Sequence, residues 1–94
     1  MCLGFFCAPK FNQMFYVYLL QSQKDQSFYI GYTSDLQQRL FKHNTAKSGY
    51  TSTKQPWEIV YSETFDLKSD AIKRERFLKR QKNTAFYQRL IRGI

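Results

Sequence analysis

The chain has 94 residues, enough for one domain and too few for two. Its 15 Lys and Arg outnumber its 7 Asp and Glu, a net charge of +8, while 43% of residues are apolar and 18% aromatic. These figures exclude a disordered tail, a Pro/Gly-rich fibre, a disulfide scaffold and a membrane-spanning protein, and they favour a polyanionic partner, foremost nucleic acid.

Residues 1–13 have no helical or strand period and are interrupted by Pro9. They read as a poorly ordered N-terminal extension before a single domain over 14–94, with Met14 directly ahead of the first patterned segment. Cys2 and Cys7 lie in this extension, without the second Cys pair that a zinc site would need. With no signal peptide or span in evidence, a cytoplasmic setting with no membrane partner is expected.

Phe15-Tyr16-Val17-Tyr18-Leu19-Leu20 is wholly aromatic, β-branched or Leu, which predicts a buried strand. Gln21 to Ser27 is a polar turn, and Phe28-Tyr29-Ile30-Gly31-Tyr32 a second strand, so the two form a hairpin. A turn centred near Lys24 sets Tyr18 almost opposite Tyr29 on one face.

Ser34 and Gln37 have capping-box spacing, predicting a helix to about His43 or Asn44. At about 100° per residue, Leu36, Arg39, Leu40 and His43 share one arc, which sets Arg39 and His43 on the packing side. Buried there, each needs a partner or a cleft. Residues 44–56 read as a long loop and Trp57 to Phe65 as a third strand.

Ser69 is the expected cap of a second helix ending near Gln81, with Leu67, Ala71 and Leu78 as its apolar stripe. Glu75 falls within that stripe. Lys73, Arg76 and Arg80 line the opposite side, with Lys79 and Lys82 nearby. Residues 68–94 hold nine basic and two acidic side chains, against six and five in residues 1–67. This basic face is the expected phosphate-binding surface; a merely solvated helix face has the same composition. A short third helix from Asn83 or Thr84 to Ile91, stopped by Gly93, completes an α+β fold of order β-β-α-β-α-α around a small antiparallel sheet.

Two strand tyrosines, an Arg and a His on one helix face, and a carboxylate on another match the needs of phosphodiester hydrolysis. That reaction takes a metal, a base for water and a cation for the developing charge. One carboxylate suits Mg²⁺, which keeps most of its waters, and Arg grips phosphate oxygens in pairs.

At these positions the chain resembles the GIY-YIG nuclease family, in particular its small stand-alone bacterial type. The ordered pieces are Tyr16-Val17-Tyr18, Tyr29-Ile30-Gly31, Leu36-x-x-Arg39-x-x-x-His43 and Ala71-x-x-x-Glu75. Tyr16 stands where the first motif has Gly, and Tyr32 where several relatives carry Lys. The resemblance implies a three-stranded antiparallel sheet with flanking helices and metal-dependent cleavage, with Mg²⁺ or Mn²⁺, of nucleic acid, DNA being the expected substrate. It implies catalytic roles for Tyr18, Tyr29, Arg39, His43 and Glu75: Arg39 on the scissile phosphate, Glu75 on the metal, and a tyrosine beside the attacking water. The alternative is a nucleic-acid-binding module of the same fold with little or no turnover, and a third reading is a basic RNA- or ribosome-associated accessory protein.

Overall fold

The computed structural model describes residues 13–93. Its elements are β1 (Phe15–Ser22), β2 (Phe28–Thr33), α1 (Leu36–Thr45), a 3₁₀ turn (Tyr50–Lys54), β3 (Trp57–Phe65), α2 (Lys68–Gln81) and α3 (Thr84–Arg92). The expected α+β order is therefore the observed one. The proposed extension over 1–13 and its two cysteines lie, apart from Gln13, outside the described residues. No helix among them is long and apolar enough to cross a membrane.

The three strands form one antiparallel sheet of order β2-β1-β3, with β1 in the middle. Side chains alternate across it, and the two faces bury different chemistry. One face carries Val17, Leu19 and Ile30, closed by Ala71 and Leu78 of α2 and Tyr87 of α3. The other carries Tyr18, Leu20 and Trp57, with Tyr29, Leu36, Leu40 and Ile59 packed around them. The aliphatic face is the main core. The aromatic face, closed by α1, positions the candidate site.

Register corrects the first expectation. Tyr18 pairs with Gly31, and Tyr29 pairs with Leu20. Ser22 explains the offset: it is fully buried, its hydroxyl accepts from the amides of Lys24 and Asp25 and donates to the Lys54 carbonyl, and so the turn begins later. A two-residue offset preserves the face, so both tyrosines still emerge on the same side.

Two caps also differ. Asp35, not Ser34, caps α1, its carboxylate accepting from the Gln38 amide at 3.0 Å. An ionised Asp is the stronger acceptor beside the positive end of the helix. Helix α2 starts at Lys68 after Leu67, with no side-chain cap, so Ser69 is already helical. Leu67 is 57% exposed and takes no part in the stripe that Ala71 and Leu78 form. Helix α3 is closed as expected, by the Asn83 side chain at its start and by Gly93, at φ 82°, at its end. The 44–56 segment is not a plain loop, since it holds the 3₁₀ turn.

Candidate active site

A cleft of about 380 Å³ opens at the outer edge of the sheet, where β2, the start of α1 and α2 meet. Tyr18, Tyr29, Arg39 and Glu75 all line it. Four of the five predicted catalytic residues, from four different elements, thus converge on one space. The fifth, His43, stands behind the wall: it is buried, its Nε2 lies 3.2 Å from the Tyr18 hydroxyl, and its ring meets the Tyr29 ring edge-on at 4.8 Å.

Gly31 makes this arrangement possible. A Cβ at residue 31 would lie 2.4 Å from the Tyr18 hydroxyl oxygen and 2.7 Å from the ring carbon bearing it. The Tyr18 ring therefore crosses directly over its partner residue, which only a glycine permits. Here glycine is required by close approach, not by its backbone angles.

Tyr18 is 2% exposed. Its burial, and next the neighbouring Tyr29, push its phenol up to about 12, against the opposing pull of the Arg39 charge. Burial and then the same Arg39 charge hold His43 below the ordinary imidazole value. Both shifts fit one protonation state near neutral pH: a protonated phenol donating to a neutral imidazole. A phenolate at Tyr18, ready as a base, is what this environment disfavours.

Helix α1 is held in position from its far end. The Asn44 side chain donates to the Trp57 carbonyl at 3.1 Å and accepts from the Trp57 amide at 2.6 Å. Gln55 donates to the His43 carbonyl at 2.9 Å. These bonds fix the last turn of α1, and with it His43, against β3.

Glu75 is mostly buried, with 14% of its side chain exposed, and faces the cleft between Ala71 and Leu78. Among the described residues its one ion pair is with Lys79, at 3.2 Å, one turn along the same helix. Among the described residues no group of three or more His, Cys, Asp or Glu is gathered to hold a metal. A lone carboxylate facing an open cleft nevertheless fits an ion such as Mg²⁺, which binds through one or two carboxylates and retains water.

Of the predicted phosphate-binding cations, Lys73, Arg76, Lys79, Arg80 and Lys82 are all exposed. Only Lys79 is ion-paired among the described residues, through Glu75. None of the five lines the cleft. Lys68 does, and sequence reasoning missed it. The available signal was spacing: Lys68 is seven residues before Glu75, two helical turns away on the same side.

Known proteins resemble the chain in sequence and in fold. The family model for the GIY-YIG catalytic domain matches residues 14–89. A UPF0213 protein of Staphylococcus saprophyticus is 44% identical over 65 residues, which cover 68% of this chain and 78% of that one. The UPF0213 protein YazA of Bacillus subtilis is 39% identical over 70 residues, 73% of this chain and 68% of that one. In three dimensions the chain is similar to the solution NMR structure of the UPF0213 protein BH0048 from Bacillus halodurans. That likeness has 30% identity and a TM-score of 0.52, and it covers 83% of this chain and 82% of that one. The family is one of nucleases, generally dependent on divalent metals and acting on nucleic acid. With most of its length matched by the family model, the chain belongs to the GIY-YIG family.

Proposed function

We propose that residues 14–94 form one functional unit, a divalent-metal-dependent endonuclease that hydrolyses DNA phosphodiesters in the cleft. The observation that carries this reading is the meeting of Arg39, Glu75, Tyr18 and Tyr29 in that cleft. Arg39 and Lys68 hold phosphate oxygens, Arg39 through its planar fork and Lys68 as a point charge from the end of α2. Glu75 is the protein ligand for Mg²⁺ or Mn²⁺; a cation bound there supplies charge against the phosphate oxygens and acidifies coordinated water.

Proton handling follows from the Tyr18–His43 contact. A phenol near 12 is a poor base on its own. Tyr18 overcomes this by passing its own proton to His43 Nε2 as its oxygen takes one from the attacking water. The water O–H bond breaks, a new phenol O–H forms, and the imidazole becomes the cation. The hydroxide so generated bonds to phosphorus as the P–O bond to the leaving group breaks; the leaving oxygen keeps the bonding pair and takes a proton from water in the open cleft, and His43 then gives up its added proton to solvent. A phosphate bound at Arg39 helps, because burial first and then the Arg39 charge hold His43 down, and the phosphate offsets the second of these. Tyr29 shapes the wall beside the water.

Lys73, Arg76, Arg80 and Lys82 extend the positive surface along α2 for further backbone contacts. Affinity should fall with salt, with a log–log slope of about −0.9 per duplex phosphate neutralised. Arg76→Ala with Arg80→Ala should weaken binding to all sequences alike. A salt-independent affinity removes this part of the proposal.

The decisive experiment offers duplex, single-stranded and branched DNA to the protein with Mg²⁺, Mn²⁺ or EDTA, beside Glu75→Gln. Metal-dependent cutting by the parent, lost by about 100-fold or more in a folded Glu75→Gln variant that still binds DNA, is the expected result. A stable Glu75→Gln protein that cuts at the parental rate removes the site as drawn. The high Tyr18 value and the Glu75–Lys79 pair favour a second reading, a binding module without turnover. Tight binding with no cutting under any metal would select it.

A further inference from the structure

Three tyrosine rings form a stair from the interior to the surface. Tyr18 and Tyr29 lie 6.5 Å apart between centroids with planes 31° apart, and Tyr29 and Tyr50 lie 6.5 Å apart with planes 28° apart. Exposure rises along the stair: Tyr18 is 2% exposed, Tyr29 is half-buried and Tyr50 is 53% exposed. The lower two rings line the cleft, and the top ring stands beside it in water.

The top step is also held firmly. The Trp57 indole N–H donates to the Thr51 carbonyl at 2.9 Å, which ties the 3₁₀ turn to β3. Gln55, just after the turn, donates to the carbonyls of His43 and Ala46. The Lys54 ammonium lies 5.4 Å from the Tyr50 ring centre, bonded in turn to Asp25. A large aromatic surface is thus immobilised next to the reactive cleft and still left half in solvent. A single exposed aromatic is ordinary; one pinned as the outermost ring of a stack that begins in the active site is a surface prepared for another flat ring.

We propose that Tyr50 is the stacking platform for an unpaired base of the strand whose phosphate enters the Arg39–Glu75 cleft, so that the preferred substrate is single-stranded where it is engaged. This deepens the proposed nuclease reading and rests on its placing a phosphate in the cleft. A base follows its phosphate by one sugar, so a strand held at Arg39 carries its neighbouring bases past the rim. A base inside a duplex already has both faces covered, whereas an unpaired one can stack on tyrosine without regard to its identity. The net charge of +8 supplies the attraction to the strand, and Tyr50 supplies discrimination by structure.

The test is a binding comparison in EDTA, so that no cutting intervenes. It uses a short single-stranded DNA, its full duplex, and the same single strand with abasic positions in place of its bases. Tyr50→Ala should raise the Kd for the single strand about tenfold and for the duplex less than twofold. Tyr50→Phe, which keeps the ring, should restore most of the single-strand affinity. On the abasic strand the parent and Tyr50→Ala should bind alike. A thermal melt checks that Tyr50→Ala is folded; if it is not, Tyr50→Leu, which still covers Tyr29 and Trp57, replaces it in each arm. Equal losses on single strand and duplex, no loss on either, a loss that persists on the abasic strand, or a parent that does not bind single strands each overturns the proposal. The nuclease reading fails by a different result, parental cutting by Glu75→Gln, whatever Tyr50 does.

Discussion

Glu63 on β3 and Glu75 on α2 are both mostly buried beside the same helix, yet their surroundings differ in kind. Arg74 grips Glu63 with two parallel bonds, Nε to Oε1 and the terminal nitrogen to Oε2, both at 2.9 Å, and the Tyr61 hydroxyl adds a third. Burial alone would raise the Glu63 carboxyl; the bonds from Arg74 and Tyr61 outweigh it and hold the group below its ordinary value. Among the described residues Glu75 has one ion pair, to a half-exposed lysine on a flexible stem, and it faces an open cleft. A carboxylate with its lone pairs committed stabilises the fold. One with most of them free is available to a ligand.

Substitution by Gln separates the two most sharply. Glu75→Gln should abolish metal-dependent cutting and leave the melting temperature close to parental. Glu63→Gln should do the reverse: cutting per folded molecule is retained, and stability falls by about 1–2 kcal/mol, since charged bonds are lost at a site still partly open to water. Because its folded-state value is lowered, Glu63 contributes stability that is present above its unfolded value of 4.5 and is lost as pH falls through the folded one. Glu63→Gln should therefore flatten the acid limb of the stability curve, measured by urea unfolding at stepped pH. Loss of cutting in Glu63→Gln at full folding would erase the distinction.

On cutting, an effect smaller than that of Glu75→Gln is expected at Gly31, where fold and site meet. Gly31→Ala places a methyl group against the Tyr18 hydroxyl and ring, so the phenol must leave His43 or the strands must part. Overpacking of this kind costs about 1–3 kcal/mol. Cutting should fall with it, and the loss should remain at temperatures where the variant is fully folded. A folded Gly31→Ala protein with parental activity would mean that Tyr18 can move without consequence.

How far the sequence could be read differs along the same lines. Strands and helices were legible because their apolar spacing is unambiguous: Val17, Leu19, Ile30, Ala71 and Leu78 do form the core. The gathering of Tyr18, Tyr29, Arg39 and Glu75 was legible from ordered motifs. The register was not, because it depends on Ser22, a small residue whose buried hydroxyl organises a turn without any apolar signal. Asp35 and Ser34 are both good caps, and backbone geometry chose between them. Lys68 sits at a helix start that Ser69 had seemed to mark, so its place in the cleft was hidden. The upward shift of Tyr18 arises from three-dimensional burial and from Tyr29, neither of which a pattern of residues reports.

The mildest test concerns pH and returns to the partner of Tyr18. Burial and Arg39 keep His43 neutral below its ordinary value of 6.5. The unfolded chain takes up a proton there near 6.5, while the folded protein resists it. Stability linked to His43 is thus fully present above 6.5 and declines as pH falls from 6.5 toward the lowered folded value. Cutting per folded molecule should decline only lower, as pH falls through the folded value itself, because a protonated imidazole cannot accept the Tyr18 proton. The two effects can be told apart. His43→Gln removes the titration and should flatten the stability curve between 6.5 and the folded value; it should also lower cutting at every pH, since Gln offers no basic nitrogen. Should cutting by the parent stay constant as pH falls through and below the folded value while the fold holds, water activation does not pass through His43, and the Tyr18–His43 contact is a structural bond within the aromatic face.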